Sequence, residues 1–449
     1  MEICTIGGYE EVGKNMTAVK VGEDVIIFDA GIFLPPLIEL QEREEQIKYS
    51  EEMLRKIKAL PDDLVLDKLG WKDKVRAIIV GHAHLDHVGG LPYLAHRYPK
   101  AEIIASPFTM AVFDSICSDE KVHIRNTKRI AKEDSVISLN GASGKLKLEF
   151  IRTTHSTLQC LFVSWESSEG RFFYALDFKF DKHPVIGQAP NYTRLKQLGR
   201  EGVKCLVVDA LYADTDRRTA SERIARNLLQ DAMDTVRNRK SALFITTFSS
   251  HIARLKSIVE FGKKTNREIV FLGRSLNKYV DCAIRVGLCP FKKDIKMMKY
   301  RRQINSFLNH VEKNRGKYLI VCTGHQGEPG SILDRIADGE TPFKFRKGDN
   351  LIFSSSIIPA PANINARHKL DKKLRNQGVR LQTDIHVSGH GGREDLRDLV
   401  EMLKPQNIIP AHGSLKQEAP MIDLVTTEMN YKFHENAHLS SNGKVIKIE

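Results

Sequence analysis

The sequence is poor in cysteine and has no cysteine pair at metal-binding spacing. Its seven cysteines are spread over 449 residues, and no two of them form a Cys-x-x-Cys motif. A disulfide framework and a cysteine-based zinc finger are therefore not indicated, and we expect reduced thiols that are mostly buried.

Long apolar runs are also missing. No run approaches the roughly 18 apolar residues that a membrane span needs. The residues after Met1 show neither the basic segment nor the apolar core of a secretion signal. The sequence therefore predicts a cytoplasmic protein without a membrane partner.

Acidic residues are fewer than basic ones, and this imbalance favours a polyanionic partner. The chain has 69 Lys and Arg against 56 Asp and Glu, a formal net charge of +13. Such an excess is typical of proteins that bind nucleic acid. A basic surface that serves only solubility would explain the same number, so the motifs must decide.

The rest of the composition is that of a folded protein. Hydrophobic residues make up 41% of the chain and charged residues 28%, which excludes disorder-like and collagen-like classes. The length exceeds that of one ordinary core, so we expect two domains, one of which can be inserted into the other. A charged stretch from residue 37 to residue 60 is expected to form a helical connection.

Short β-branched runs alternate with longer amphipathic stretches, a pattern that predicts an α/β fold. Several predicted strands lead directly into a polar residue. These residues are Asp29, His82, His155, Asp177, Asp209 and His412. Ligands of α/β sheets bind beyond the carboxyl ends of the strands, so one shared site is expected there.

The strongest motif places three histidines and an aspartate within six residues. It comprises His82, His84, Asp86 and His87, follows a predicted strand and precedes a Gly-Gly pair. Imidazole and carboxylate are ligands that suit zinc and other borderline divalent ions. Packing or turn polarity would explain one of these histidines, but not three at this spacing.

One tight turn cannot complete two coordination spheres, so more distant ligands are needed. His155, Asp177 and His412 can supply them, because each stands at a predicted strand end. Asp177 could bridge two ions, since the two oxygens of a carboxylate can bind separate cations roughly 3.5 to 4 Å apart. Asp29 is expected to orient a ligand histidine, because ligating imidazoles usually donate their other N–H to a carboxylate.

This set of residues resembles the four sequence motifs of the metallo-β-lactamase superfamily. Downstream, Asp209, the segment 386–392 (HVSGHGG) and the segment 410–413 (PAHG) resemble motifs A, B and C of the β-CASP group, whose members act on nucleic acids. Within that group the chain is most similar to the ribonuclease J family. Segments 7–16 (GGYEEVGKNM) and 323–329 (TGHQGEP) support this resemblance.

The chain departs from the family pattern in two places. After His155 it reads Ser-Thr-Leu-Gln-Cys where many members have Ser-Ile-Pro-Asp-Ser, and after Asp209 it reads Ala-Leu-Tyr in place of Ser-Thr-Asn. These departures concern contacts around the ligands rather than the ligands themselves. Because the chain ends at Glu449, without the extra C-terminal domain of bacterial members, the shorter archaeal type is expected.

The resemblance implies an α/β fold in which a metallo-β-lactamase αββα sandwich is interrupted by an inserted α/β β-CASP domain. Residues 1–208 and 366–449 would form the two parts of the sandwich, and residues 209–365 the insertion.

The resemblance also implies two divalent metal ions, with Zn²⁺ preferred over Mn²⁺ or Mg²⁺. His82, His84 and His155 would hold one ion, and Asp86, His87 and His412 the other, with Asp177 bridging. The implied catalytic set is Asp29, Asp86, Asp209 and His390. In it His390 would stabilise the transition state or protonate the leaving 3′ oxygen, and Asp209 would orient His390.

For the substrate, the resemblance suggests a pocket for a 5′-monophosphate. The candidate phosphate contacts are Ser250, Ser356, His386 and Gly389. The candidate contacts to the RNA backbone are Lys292, Lys293, Lys296, Arg301 and Arg302.

The implied function is a processive 5′-to-3′ exoribonuclease that prefers 5′-monophosphate RNA in RNA maturation and decay, acting on single-stranded RNA as a homodimer. Three alternatives stay open. They are a β-CASP endoribonuclease resembling the pre-mRNA 3′-end cleavage factor, a small-molecule metallo-β-lactamase-type hydrolase, and a non-catalytic RNA-binding protein. The archaeal relatives of the first carry an N-terminal KH-containing extension, the second needs neither such an insert nor such a charge, and the complete ligand set argues against the third.

Overall fold

Three β-sheets organise the chain in the computed structural model, which describes residues 1–38, 49–142, 144–358 and 361–449. The strands are β1 (Glu2–Gly7), β2 (Met16–Val21), β3 (Asp24–Phe28), β4 (Val75–Val80), β5 (Glu102–Ala105), β6 (Lys128–Ile130), β7 (Ser135–Gly141), β8 (Gly144–Arg152), β9 (Leu161–Ser167), β10 (Gly170–Ala175), β11 (Cys205–Asp209), β12 (Leu243–Thr246), β13 (Glu268–Leu272), β14 (Ile295–Met298), β15 (Tyr318–Cys322), β16 (Asn350–Phe353), β17 (Arg380–Gln382), β18 (Asn407–Ala411) and β19 (Lys444–Lys447).

Helices cover the outer faces of these sheets. They are α1 (Glu51–Lys56), α2 (Val65–Lys68), α3 (Leu85–Val88), α4 (Leu91–Leu94), α5 (Pro107–Glu120), α6 (Tyr192–Glu201), α7 (Glu222–Asp234), α8 (Ile252–Lys264), α9 (Arg274–Arg285), α10 (Arg301–Lys313), α11 (Ile332–Ala337), α12 (Pro361–Asn376), α13 (Arg393–Leu403) and α14 (Leu415–Glu428). Helix α1 falls in the stretch predicted as a charged helical connection, of which residues 39–48 lie outside the described residues.

Two of the sheets pack face to face as a sandwich. Among the described residues, one sheet has seven strands in the order β19-β1-β2-β3-β4-β5-β6, and the other has six in the order β18-β11-β10-β9-β8-β7. Phe28, Trp165 and Phe172 belong to the apolar layer between them. Helices α6, α13 and α14 pack against the outer face of the six-stranded sheet. This arrangement is the predicted αββα sandwich.

The third sheet is parallel throughout and is inserted between two strands of the sandwich. Its order is β14-β13-β15-β12-β16-β17. It follows β11 and precedes β18, and these two strands are parallel neighbours in the six-stranded sheet. The predicted insertion is thereby confirmed as an α/β layer between two strands of the six-stranded sheet.

The predicted boundary between residues 365 and 366 falls inside α12. Strand β17, which ends at Gln382, still pairs with β16 of the inserted sheet. The strand pairing therefore favours a boundary after Gln382, and the division at 208 and 209 stays a prediction.

The helices of the inserted domain pack on both faces of its parallel sheet, and the face used differs between β12 and its neighbours. Helices α8 and α9 pack on one face of the parallel sheet, and α10, α11 and α12 pack on the other. The connection after β12 therefore lies on the opposite face from those after its neighbours β15 and β16. In open parallel sheets a crevice forms at the carboxyl ends of the strands where the connections diverge in this way.

Local sequence explains how strands and helices meet at the site. Strand β11 is buried along its whole length, because it lies between parallel neighbours on both sides and reads as a continuous apolar run that ends in Asp209. Helix α14 begins directly after His412 and Gly413, where Ser414 and Gln417 form a capping box.

Two sequence-based expectations concern the cysteines and membrane-spanning helices. All seven cysteines are free and buried, as predicted. In the part of the chain that the structure describes, no helix has the length and apolar character needed to cross a bilayer.

Glu418, in the first turn of α14, is an acidic side chain inside the core. It is fully buried, and neither of its carboxyl oxygens has a hydrogen-bond partner within the described residues. Burial raises the pKa of Glu418 to about 10, and the charges of Glu11 and Glu10 add to the rise. The folded protein therefore keeps this carboxyl group protonated at neutral pH.

Replacing Glu418 by glutamine is expected to stabilise the protein at neutral and alkaline pH. The folded-state pKa lies above the ordinary value of 4.5, so the wild-type protein loses stability as the pH rises from that value towards 10, whereas an amide does not titrate. We expect similar unfolding temperatures at pH 5 and a gain of about 1–3 kcal/mol for Glu418→Gln at pH 9.

Thermal unfolding followed by circular dichroism at pH 5, 7 and 9 measures this gain. Glu401→Gln, on the exposed surface of α13, is the matched control. A gain that does not grow with pH, or that the control shares, would contradict the prediction.

Candidate active site

Three residues of the site stand just after strand ends in a left-handed backbone conformation. Asp29 follows β3, Asp177 follows β10 and His412 follows β18, with φ angles of 61°, 48° and 64°. Residues other than glycine adopt this conformation at a cost on the order of 1 kcal/mol, and it persists where the surrounding structure enforces it. Strain of this kind often accompanies functional sites.

A first group of ligand atoms converges on one point. The ligand atoms of His82, His84, His155 and Asp177 all lie within 4.8 Å of one another. Nδ1 of His84 is 3.1 Å from Nε2 of His82 and 3.0 Å from Nε2 of His155. Oδ2 of Asp177 is 3.3 Å from Nε2 of His82. Three imidazoles and one carboxylate at such distances suit a zinc-like ion.

A second group lies beside the first and shares Asp177 with it. It comprises Asp86, His87, Asp177 and His412. Oδ1 of Asp177 is 3.0 Å from Nε2 of His87 and 3.6 Å from Nε2 of His412. Oδ2 of Asp86 is 3.6 Å from Nε2 of His87. The structure therefore brings together all seven residues predicted as metal ligands.

Asp177 faces both groups, one oxygen to each. The residue is almost fully buried, and its Oδ1 has no hydrogen-bond donor among the described residues. A buried carboxylate oxygen without a donor is costly unless a cation neutralises it. The donor set and this unpartnered oxygen therefore fit two divalent ions bridged by Asp177.

Asp29 is hydrogen-bonded to His87, and its predicted role in orienting a ligand histidine stays a prediction. Nδ1–H of His87 donates to Oδ2 of Asp29 at 2.7 Å, which leaves Nε2 directed at the second ligand group. Asp29 also accepts from the hydroxyl of Tyr174 at 2.9 Å and from the backbone N–H of Gly81 at 2.9 Å. Tyr174 was not identified from the sequence, because an aromatic residue inside a strand reads as core.

Asn15 plays the corresponding part for His412. Nδ1–H of His412 donates to Oδ1 of Asn15 at 3.1 Å, and Nδ2 of Asn15 donates to the backbone oxygen of Asp86 at 3.0 Å. Asn15 is fully buried. Asn15 belongs to the motif of segment 7–16, but its role cannot be read from that motif.

Gly389 contacts a metal ligand through its backbone. Nδ1–H of His155 donates to the carbonyl oxygen of Gly389 at 2.7 Å. A Cβ atom at this glycine would stand 2.8 Å from Cε1 of His155, so only glycine allows this approach. The predicted phosphate contact of Gly389 stays a prediction beside this observed one.

The electrostatics of the first group favour neutral imidazoles. Burial lowers the pKa of His82 and His155, and it lowers that of His84 to about 3, with further lowering by neighbouring histidines. Burial would raise the pKa of Asp177, but the surrounding histidines hold it well below its usual range. Neutral imidazole and ionised carboxylate are the forms that bind a metal ion.

His390 has the opposite character. Its Nδ1 donates to Oδ2 of Asp209 at 2.7 Å, and its Nε2 lies 3.8 Å from Oδ2 of Asp177. Burial lowers the pKa of His390, but the charges of Asp177 and Asp209 outweigh burial and raise the pKa to about 9. The ring therefore carries a proton at neutral pH and presents Nε2–H towards the metal ligands.

A second polar cluster lies at the carboxyl end of β12 and contacts the first. Oγ of Ser250 is 3.1 Å from Nε2 of His84. The ring of Phe248 lies 4.4 Å from that of His325 and 5.9 Å from that of His386, measured between centroids. The crevice of the parallel sheet thus opens next to the metal ligands.

This second cluster contains buried polar atoms without partners among the described residues. They are Nε2 of His325, Nδ1 of His386 and Oγ of Ser355. Buried polar atoms in proteins are nearly always hydrogen-bonded, so three such atoms without partners, after β15, β16 and β17 of one parallel sheet, point to a polar ligand. Ser356, the neighbour of Ser355, is exposed.

His325 was not among the predicted phosphate contacts. A lone histidine within a glycine-rich turn has many explanations in sequence. Only the strand order, which places β15 next to β12, brings it beside Phe248.

The residues predicted to bind the RNA backbone do not lie together. Lys292 and Lys293 precede β14, whereas Arg301 and Arg302 follow it at the edge that holds the carboxyl ends of the parallel strands. Lys296 is paired with Glu268 at 2.6 Å. Of these five residues, Arg301 and Arg302 therefore lie at the edge of the sheet that carries the second polar cluster.

Parts of the chain match three described protein families. Residues 240–370 match the β-CASP domain of ribonuclease J, residues 9–123 the metallo-β-lactamase superfamily, and residues 378–433 the RNA specificity domain of Zn-dependent metallo-hydrolases.

Curated proteins resemble the chain over its full length. Ribonuclease J of Methanocaldococcus jannaschii is 39% identical, with 100% of this chain and 99% of that protein covered. Ribonuclease J of Pyrococcus abyssi is 38% identical, with 100% and 97% covered. Ribonuclease J 1 of Streptococcus pyogenes is 29% identical, with 99% and 74% covered.

A crystal structure of a protein of unknown function from Enterococcus faecalis has a similar fold. Its TM-score is 0.64 at 16% identity, with 99% of each chain covered. At this identity the likeness supports the fold alone. The full-length identity to the two archaeal proteins, together with the family matches, shows that the chain belongs to the ribonuclease J family.

Proposed function

We propose that the chain is a two-metal ribonuclease that removes nucleotides processively from the 5′ end of single-stranded RNA and prefers a 5′-monophosphate. The contact between Ser250 and His84, at 3.1 Å, carries this proposal. It joins a pocket of unpartnered polar atoms to the metal ligands. An RNA end seated in such a pocket would place its first phosphodiester bonds near the reactive centre.

The two ligand groups would hold two divalent ions, and we propose zinc because the first group offers three imidazoles. When bound, such ions activate water for attack on phosphorus and neutralise charge on the phosphoryl oxygens. The chain holds the ligands in place through Asp29, Asn15 and the carbonyl of Gly389.

His390 supplies the proton for the leaving group. Asp209 orients the imidazolium by accepting from Nδ1–H of His390, so that Nε2–H of the ring remains free to donate to the departing 3′ oxygen. A protonated ring at neutral pH suits this task, since a general acid must carry its proton before the reaction begins. The charge of the ring also stabilises the negative charge that develops on the phosphate.

The pocket at the carboxyl ends of β12, β15 and β16 would bind the 5′-phosphate. Ser250, Ser356 and His386 offer hydroxyl and imidazole groups there, and His325 and Ser355 add two atoms that lack partners in the described chain. Such donors suit the oxygens of a terminal phosphate.

Beyond the pocket, we propose that the strand of RNA passes Arg301 and Arg302. Tyr300 beside them is 60% exposed, and an exposed aromatic ring next to cationic side chains suits base stacking. The homodimer expected from the family resemblance is a separate proposal, which light scattering on the purified protein would test.

Replacing Asp177 by asparagine is expected to remove metal binding and activity together. The amide keeps the shape of the side chain but cannot bridge two cations, so we expect fewer than two zinc ions per chain and a loss of RNA cleavage of about 1000-fold or more. Elemental analysis of the purified protein and a cleavage time course measure the two quantities.

Asp214→Asn, at an exposed position, is the control for this change. Full metal content or full activity in Asp177→Asn would contradict the two-metal assignment.

Replacing His386 by alanine is expected to weaken the preference for a 5′-monophosphate. We expect the ratio of kcat/KM values for 5′-monophosphate and 5′-hydroxyl RNA to fall about tenfold, because one imidazole contact to the phosphate is lost. The measurement compares 3′-labelled RNA of one sequence with either end. Metal content should not change.

His310→Ala, on the exposed face of α10, is the control. If the wild-type enzyme releases internal fragments whatever the 5′ end, the 5′-exonuclease proposal fails and internal cleavage takes its place.

A further inference from the structure

Arg254, on α8, is fully buried, and all three nitrogens of its guanidinium group donate hydrogen bonds. The side chain is 0% exposed. It makes five hydrogen bonds, two to the carboxylate of Glu222, two to the carbonyl and hydroxyl oxygens of Ser354, and one to the carbonyl oxygen of Ile385. Their lengths run from 2.5 to 3.1 Å. No metal ligand is among its partners.

Two of these partners, Glu222 and Ile385, lie in the two chain segments that connect the sandwich with the inserted domain, whereas Ser354 follows β16 inside that domain. The first segment leaves β11 and ends where α7 begins, at Glu222. The second leaves β17 and leads through Ile385 to His390. The guanidinium group of Arg254 therefore binds Glu222, at the end of the first segment, and Ile385, within the second segment.

The Glu222 end of this arrangement is tied to the sandwich. The backbone N–H of Glu222 donates to Oδ2 of Asp181 at 2.7 Å, and Asp181 lies in the loop that begins at the bridging Asp177. Nε2 of His251 lies 3.2 Å from Oε2 of Glu222, and His251 is the neighbour of Ser250. Displacement of Glu222 would therefore shift both the loop that carries Asp181 and the residues around Ser250, on the two sides of the cleft.

The other end of the arrangement holds two walls of the phosphate pocket. Oγ of Ser354 donates to the carbonyl oxygen of Ile385 at 3.0 Å, and Arg254 contacts both residues. Ser354 precedes Ser355 and Ser356, and Ile385 precedes His386. Arg254 thus sets the distance between the serine turn after β16 and the segment that carries His386 and His390.

We propose that Arg254 is a positioning residue that fixes the 5′-phosphate pocket relative to the metal ligands and thereby restricts cleavage to the first phosphodiester bond. This inference rests on the proposed function. The spacing between pocket and reactive centre decides how many nucleotides are counted from the RNA end. A displacement of about 1 Å can cost on the order of 100-fold in rate.

The choice of residue supports a positioning role rather than stability alone. A buried ion pair contributes little net stability compared with apolar residues of the same volume, whereas its geometry is specific. Arginine presents its donors in a planar fork that can engage the Glu222 carboxylate and two backbone carbonyls at once. Lysine carries the same charge but cannot reproduce that fork.

Arg254→Lys in the full-length protein tests the inference. We expect KM for 5′-monophosphate RNA to rise about 10- to 100-fold with a smaller change in kcat. Products should change from mononucleotides alone to a mixture with longer fragments. Hydrolysis of bis-p-nitrophenyl phosphate, which is too small to reach the pocket, should be unchanged, as should the zinc content.

Arg267→Lys is the matched control. Arg267 is also a buried arginine of the inserted domain. It donates to the carbonyl oxygens of Ser241 and Tyr318, which lie at the amino ends of β12 and β15, away from the cleft. We expect this variant to keep the wild-type KM and product lengths. Glu222→Gln, which keeps the shape of the partner and removes its charge, should shift both quantities in the same direction as Arg254→Lys and decides the question if that variant does not fold.

The outcomes separate this inference from the proposed function. If wild-type protein shows no preference for a 5′-monophosphate, the proposed function fails. The product lengths of wild-type protein and Arg254→Lys would still test the positioning role of Arg254. Unchanged KM and product lengths in a folded Arg254→Lys or Glu222→Gln variant would overturn the inference. So would a parallel loss of bis-p-nitrophenyl phosphate hydrolysis, because it would show a general structural effect.

Discussion

A buried carboxylate that faces two groups of imidazoles is the interaction on which the site depends. Asp177 is almost fully buried, and its two oxygens face different sets of ligands. Carrying this charge into the protein interior is costly without cations close by. Among the histidines beside it, His87, His155 and His412 are each oriented by a hydrogen bond from Nδ1, which leaves Nε2 directed towards the shared carboxylate.

The place of the insertion explains how the two halves of the cleft meet. Strands β11 and β18 are parallel neighbours, so Asp209 and His412, which stand at their carboxyl ends, lie side by side at one edge of the sheet. The chain leaves the sandwich after Asp209 and returns through the segment that carries His390, whose Nδ1–H donates to Asp209. The inserted sheet is therefore attached at the edge where the metal ligands lie, and its own strands end against them.

Charge is distributed differently on the two sides of the metal ligands. The pKa of His84 is lowered to about 3, whereas the pKa of His390 is raised to about 9. Burial dominates for His84, and two nearby carboxylates dominate for His390. A single cleft thus holds neutral rings that can bind a cation and a protonated ring that can act as an acid.

The residues of the two candidate ligand groups could be chosen from the sequence because their signal is local. Four of them share one turn, and the others follow apolar runs that are recognisable as strands. The roles of Asn15, Tyr174 and Arg254 could not be predicted, since each depends on partners that are distant in sequence. Gly389 was predicted to contact phosphate, and its observed contact to His155, through the carbonyl oxygen, likewise depends on a residue distant in sequence.

The sequence by itself determined the α/β class, the ligand residues and the family resemblance, because periodicity and short motifs are properties of neighbouring residues. Only the tertiary structure decided which oxygen of Asp177 faces which ligand group, which strand ends form the pocket beside His84, and which arginine holds both connections between the domains. These features depend on strand order and on contacts such as that between Arg254 and Ile385. Such contacts join segments more than a hundred residues apart, and no local pattern in the chain records them.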